Sequence, residues 1–324
     1  MRILSLAIAL LTIFAASTAW AQTAPFHAGV TRISVSDEDR FDTFVWYPTD
    51  AVEIPWQAGP FPISASRNAP IAAGQFPVLL LSHGGGPGGG SPLILRNLST
   101  YLAREGFIVV TPIHGKTPLL QRPHQIAAAF DATMADPRFA THADADKLAM
   151  LGFSLGGAVA LENAGGIPDF EHLAAYCAAH PNDETSCGAG PGDKTGATPS
   201  KQAQPSDELP QTPRLPLKAL VLLDPFAVLF TPTGLAAVKI PTLVFRPKQS
   251  DLGEKNLNAL IAGLPYPPKV DYMPGGHFTL TDVCPPALEL AVSEVCKDAQ
   301  GVDRAAIQIE IERQIAAFFH SNLQ

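Results

Sequence analysis

The chain has 324 residues, of which 46% are apolar, and 30 acidic against 22 basic residues give it a net charge of −8. That length can bury the core of one large α/β domain. The acidic balance argues against nucleic acid or an anionic membrane as an electrostatic partner.

The first segment, residues 1–21, carries Arg2, an apolar stretch from Ile3 to Ala16, and Ala19-Trp20-Ala21 before Gln22. This pattern predicts a cleaved signal peptide, with an anchored precursor as the duller alternative. The apolar stretch is short for a bilayer span, so no stable membrane insertion of a mature chain, residues 22–324, is expected. Loss of Arg2 takes the formal charge from −8 to −9. Export would place the protein in the periplasm or outside the cell, where Cys177, Cys187, Cys284 and Cys296 can oxidise. Three pairings are possible, and short loops favour Cys177–Cys187 with Cys284–Cys296. No Cys-x-x-Cys spacing suggests a metal site, and free buried thiols are the remaining alternative.

Val30–Val35 and Phe41–Tyr47 alternate and are rich in β-branched or aromatic residues, which predicts an opening antiparallel pair. Trp46 and Tyr47 are expected at the sheet edge. Phe76–Ser82 is a continuous apolar run, as for a strand covered on both faces. Leu93–Arg104 places Leu95, Leu98 and Leu102 at helical spacing, and Gly106 ends the helix. Phe107–Thr111 reads as a buried strand, Gln125–Met134 as a helix, and Lys147–Leu151 as another strand. Leu155–Ala164 is helical in composition. Residues 165–216 form a connection longer than a simple crossover requires. Its first part, Pro168–Ala179, could be a helix. Its second, Gly188–Pro216, is rich in Gly, Pro and polar residues and reads as a mobile segment, either a lid or a solvated insertion. Lys218–Asp224, Pro241–Arg246 and Lys269–Met273 read as three more strands. Ile307, Ile311, Ile315 and Phe318 form the apolar stripe of a closing helix. The alternation predicts an α/β sheet with helices on both faces.

Gly152-Phe153-Ser154-Leu155-Gly156 lies between a predicted strand and a predicted helix. A sharp turn there leaves no room for side chains beside the serine, lifts Ser154 Oγ off the sheet and sets it at a helix N-terminus. A plain Gly-Ser turn is the competing reading. A serine hydroxyl needs a base to take its proton. Of nine histidines, His277 follows a strand and two glycines near the C-terminus, where the order Ser, acid, His places it. Two aspartates could orient that base. Asp224 ends a strand in Leu-Leu-Asp-Pro, 53 residues before His277, and is favoured. Asp251 lies beyond the next strand and otherwise caps the helix beginning near Gly253. The glycine loop from Ser82 to Gly90 lacks Gly-Lys-Ser/Thr, so a phosphate cradle is the weaker reading of it. His83 is expected to brace this loop, and His114 and His124 lack metal-ligand spacing. Phe153 and Phe278 could line an acyl pocket or pack in the core.

Phe76–Gly84, the elbow, Leu222-Leu-Asp-Pro and Gly275-Gly-His-Phe, in this order, resemble a secreted α/β-hydrolase of the dienelactone-hydrolase-like group related to platelet-activating-factor acetylhydrolase. Val45-Trp-Tyr-Pro resembles the Trp-Tyr-Pro signature of the same group. The resemblance runs from about Val30 to the last helix and leaves the long insertion outside. It implies an α/β-hydrolase fold with a mostly parallel sheet, and Ser154, Asp224 and His277 as catalytic triad. It also implies Gly85 N–H as an oxyanion donor beside Leu155 N–H, and no metal or organic cofactor. The implied activity is hydrolysis of a small-molecule or lipid carboxylic ester through an acyl-enzyme. An amide, thioester or polyester, or a binding protein that lost catalysis on the same fold, are the alternatives.

Overall fold

The computed structural model describes residues 24–36, 40–85, 90–188 and 213–324. The expected signal peptide lies outside the described residues, as do residues 86–89 of the glycine loop and 189–212 of the insertion.

Eleven strands are present among the described residues. They are β1 (His27–Val35), β2 (Phe41–Thr49), β3 (Trp56–Ala58), β4 (Phe61–Ile63), β5 (Ser66–Arg67), β6 (Phe76–Ser82), β7 (Ile108–Pro112), β8 (Ala143–Phe153), β9 (Leu220–Leu223), β10 (Thr242–Pro247) and β11 (Lys269–Met273). Nine of them form one sheet in the order β11-β10-β9-β8-β6-β7-β2-β1-β5, and β3 and β4 form a small separate hairpin. From β7 to β11 all pairings are parallel, while β2 runs antiparallel to both β1 and β7. The three short strands β3, β4 and β5 were not legible in the sequence, because two or three residues are too few for a period to show.

The helices are α1 (Arg96–Arg104), α2 (Arg122–Ala135), α3 (Leu155–Asn163), α4 (Phe170–Ala179), α5 (Glu184–Cys187), α6 (Pro232–Leu235), α7 (Glu254–Gly263), α8 (Pro286–Ala291), α9 (Ser293–Cys296) and α10 (Arg304–Asn322). Alternate residues of the buried strands feed two cores. Val78 and Leu80 of β6 and Leu148 and Met150 of β8 pack with α2, α3 and α7 on one face. Leu79 and Leu81, with Ala149 and Leu151, pack with α1 and α10 on the other. A sheet covered on both faces explains why these strands read as unbroken apolar runs.

Three expectations change. Trp46 and Tyr47 are not at the sheet edge: β2 is an interior strand, and both side chains are buried. In α10 the buried stripe is Gln308, Ile311, Ile315 and Phe319, with Ile307 and Phe318 only partly covered. The helix axis turns the 308-311-315-319 row to the sheet, one residue round from the row that hydropathy alone picks out. Asp251 does not cap α7, whose N-cap is Gly253 with no side-chain bond.

The cysteines pair locally, Cys177 with Cys187 and Cys284 with Cys296, at Cα–Cα distances of 5.5 and 5.6 Å. The first bridge ties α4 to α5 within the insertion. Asp169 caps α4 at His172 N–H, and Asp183 caps α5 at Ser186 N–H while accepting from Tyr176 Oη at 2.6 Å. His180, at the end of α4, meets Lys255 of α7. None of the helices among the described residues is long and apolar enough to cross a membrane.

Candidate active site

The order of the sheet reverses direction between β6 and β8: the chain winds from β6 to β7 on one side and from β8 to β11 on the other. The crevice outside the carboxyl ends of strands at such a point is where open α/β sheets place ligands. Ser154 follows β8 there, and His83-Gly84-Gly85 follow β6.

Ser154 has φ 56° and ψ −121°, a strained conformation for a residue with a side chain, costing about 1–3 kcal/mol. Its neighbours hold it. Ser154 N–H donates to Leu223 O at 3.0 Å, and Ser154 O accepts from Gly157 N–H and Phe226 N–H at 2.9 Å each. The elbow folds because α3 starts against the end of β6: a Cβ on Gly156 would collide with Ser82 O. The side chain of Ser154 is partly exposed, at the N-terminus of α3.

His277 begins a 3-10 turn over His277–Leu280 after β11. Gly275, at φ 102°, makes this turn possible, since a Cβ there would collide with Thr279 Oγ1. Gly275 N–H donates to Gln249 Oε1 at 2.6 Å, and Gly276 N–H to Thr279 Oγ1 at 3.0 Å. The imidazole stacks on Phe153, with centroids 4.8 Å apart and planes at 27°, and meets the edge of Phe278 at 5.1 Å. Phe153, buried in the core, is thus the shelf for the imidazole, while Phe278 is half-buried.

His277 Nδ1–H donates to Asp224 Oδ2 at 2.6 Å, and both side chains are buried. This bond fixes the tautomer and leaves Nε2 as the basic nitrogen. Ser154 Oγ and His277 are not hydrogen-bonded in this structure. Asp224, at φ 40°, directly follows β9 and accepts two further donors. Arg246 Nη1 reaches Oδ1 at 2.5 Å, and Ser250 Oγ donates to Oδ2. Asp251, the other candidate, is exposed and forms no hydrogen bond or ion pair with a described residue. The fold therefore brings Asp224 to His277 and leaves Asp251 on the surface.

The glycine loop has its own bracing. His114 N–H donates to His83 Nε2 at 3.2 Å, so His83 carries its proton on Nδ1, which donates to Gly84 O at 2.8 Å. Burial, with the Arg122 charge second, pushes His83 down to about 3, so it stays neutral. His114 is likewise held well below the usual histidine range by burial. It lies between Ser82 Oγ at 2.9 Å and Gln125 Oε1 at 2.8 Å. Arg122 Nη1 also approaches Gly84 O, at 3.4 Å, and its Nε donates to Thr117 O at 3.1 Å. Burial lowers Arg122 to about 10, which keeps it charged at neutral pH.

The Gly84 carbonyl and the Gly85 N–H share one trans peptide plane and point in opposite directions. Donors on Gly84 O therefore aim Gly85 N–H the other way. Gly85 N–H has no acceptor among the described residues. Gly84 itself lies against the serine: a Cβ built on it would be 3.0 Å from Ser154 Cβ. Leu155 N–H, in the first turn of α3, is among the donors a helix leaves open.

Sequence reasoning missed Arg246, Ser250, Arg122 and Gln125. Arg246 alone had a signal, a charge closing the buried run Thr-Leu-Val-Phe. His124, half-buried on α2, forms no hydrogen bond with His83, His114 or the glycine loop, and no group of three or more His, Cys, Asp or Glu that could hold a metal occurs among the described residues.

No protein-family model matches the sequence, and no curated protein does. Among solved structures the chain is similar to a ferulic acid esterase from Streptomyces cinnamoneus. The TM-score is 0.61 at 18% identity, over 94% of this chain and 92% of that one. With the strand order, the strained serine elbow and the mostly parallel sheet, this likeness establishes that the chain has the α/β-hydrolase fold.

Proposed function

We propose that this protein is an exported serine hydrolase acting on carboxylic esters, with Ser154 as nucleophile, His277 as base and Asp224 as the acid. The observation that carries the reading is the Asp224–His277 bond beside the strained elbow of Ser154. The structurally similar ferulic acid esterase is by its name an ester hydrolase, which supports the same reaction class here. The two disulfides fit export to an oxidising compartment.

In this mechanism Ser154 Oγ attacks the ester carbonyl as His277 Nε2 takes its proton. Asp224 holds the ring in the tautomer that leaves Nε2 free and stabilises the imidazolium. The carbonyl oxygen, now negative, is received by the N–H groups of Leu155 and Gly85. His277 then protonates the departing alkoxide, leaving an acyl-enzyme. Water activated by the same nitrogen attacks the acyl carbon and releases the acid. The acetylhydrolase-like resemblance and the esterase neighbour suggest different esters, short or lipid acyl groups against aryl acids, and a substrate panel separates them.

The test is hydrolysis of p-nitrophenyl esters from acetate to dodecanoate and of methyl ferulate. Ser154→Ala should fold and lose at least about 10³-fold in kcat. Asp224→Asn should lose about 10⁴-fold, since the amide favours the wrong tautomer. Asp251→Asn should stay within about twofold. A Ser154→Ala variant that turns over like wild type would sink the mechanism.

A further inference from the structure

Asp224 is more heavily engaged than orienting His277 requires. Its Oδ2 takes His277 Nδ1–H and Ser250 Oγ–H, and its Oδ1 takes Arg246 Nη1 at 2.5 Å. Arg246 leaves β10, the strand beside β9, and its side chain is 6% exposed against 1% for Asp224. Its other terminal nitrogen donates to Leu252 O, while Leu252 N–H donates to Ser250 Oγ at 3.1 Å. The loop 250–252 is thereby folded round the carboxylate. Burying a full cation beside a carboxylate costs desolvation of both groups, and a packed apolar pair would often serve stability as well. The ion pair calls for a role besides holding the fold.

We propose that Arg246 is a positioning residue that clamps the outer oxygen of Asp224 and limits how strongly the carboxylate stabilises the charged form of His277. The inference rests on the proposed function for its catalytic meaning. Its physical content, a cation acting on the His277 imidazole through Asp224, holds without it. The guanidinium neutralises part of the negative charge that faces the ring, so protonation of the imidazole gains less. The clamp also fixes the carboxylate plane, which keeps Oδ2 aimed at Nδ1.

The other charged groups around this pair do not reproduce the effect. From the turn that carries His277, Thr279 bonds Asp298, which is paired with Arg304. Asp282 is paired with Arg96 of α1. On the glycine-loop side, Arg122 lies beyond Gly84, and His83 and His114 are neutral. Lys248, Asp251 and Lys255 are exposed on the loop and on α7, where water screens them. Arg246 is the charge in direct contact with the acid.

The experiment measures two quantities on the full chain. One is the titration of the His277 imidazole by NMR, and the other is the pH profile of kcat/KM on a p-nitrophenyl ester. The variants are Arg246→Met, Arg246→Gln and Arg246→Lys. Losing the cation strengthens the pull of Asp224 on the imidazolium. The His277 titration and the acid limb of activity should therefore both move to higher pH, by about one unit in Arg246→Met. Arg246→Lys, which keeps the charge, should stay within about 0.3 units of wild type. Arg246→Gln retains a donor for Oδ1 and carries the test if Arg246→Met does not fold. A folded neutral variant with an unmoved titration overturns the proposal, and so does a Lys variant that moves as far as the neutral ones. The NMR arm needs no turnover. Absence of Ser154-dependent hydrolysis would therefore defeat the proposed function while leaving the clamp to be judged by its own readout.

Discussion

At the scale of single residues, the candidate site depends on what holds each of its groups in place. The peptide between Gly84 and Gly85 shows how. Its carbonyl is held by His83 Nδ1–H and approached by Arg122, so its N–H is aimed before any substrate arrives. A cation at the carbonyl end also polarises that amide and makes the N–H a better partner for an oxyanion. Arg122→Met should therefore lower kcat by about 10- to 100-fold on p-nitrophenyl acetate with little change in KM, and Arg122→Lys should recover part of the loss. Equal losses in both variants would mean that the fork geometry matters and the charge does not. Arg122 could not be singled out from the sequence, because its meaning depends on a loop 38 residues away. Ser154 is a mixed case: the glycines two residues to either side mark it in the sequence, while its strained backbone is held by Leu223 and Phe226 from far along the chain.

At the scale of elements, α3 and β6 set the geometry between Ser154 and the glycine loop. The first turn of α3 sits on the end of β6 so closely that Gly156 has no room for a methyl group. Gly156→Ala should push α3 away from Ser82 and shift both Ser154 and Leu155 N–H. A loss of about 1–3 kcal/mol of stability is expected from such overpacking, seen as a lower Tm, with a larger proportional fall in activity. An unchanged Tm would show that the strand end yields instead. The long elements were legible because β6, β7, β9 and the second half of β8, from Leu148, are buried and largely apolar, and α1 carries a clear leucine spacing. The short strands, and the exact face of α10, were not, because a few residues carry no period and a helix stripe shifts with the packing angle.

At the scale of the whole molecule, the two-faced sheet buries polar groups that local pattern does not foretell. Glu162 of α3 is fully buried, and neither carboxylate oxygen has a hydrogen-bond partner among the described residues. Burial raises it to about 8, so the folded state holds a proton that the unfolded chain releases near the ordinary carboxylate range. The sign follows: this contribution to stability is fully present below the unfolded value and is lost as pH rises through about 8. Wild type should therefore lose Tm, by about 5 °C, between pH 5 and pH 9, and Glu162→Gln should flatten that dependence. A variant with the wild-type slope would assign the pH dependence to other groups.

Much about this protein was determined by its sequence alone. The alternation of apolar runs and helical spacings defines a sheet covered on both faces. The elbow is a local strand–turn–helix, and the disulfides close loops of 10 and 12 residues. Each of these leaves a local mark in the chain, as an apolar run, a glycine spacing or a short loop between cysteines. Tertiary structure alone decided which aspartate stands beside His277, and that Arg246 grips that aspartate from the next strand. It also decided that Arg122 reaches the glycine loop. The contacts of Asp224 span 22 and 53 residues and exist because β9 and β10 lie side by side with the turn after β11 folded over them, while that of Arg122 spans 38 and joins α2 to the loop after β6. Strand order in a sheet is fixed by how whole layers pack, and no local run of residues carries that information.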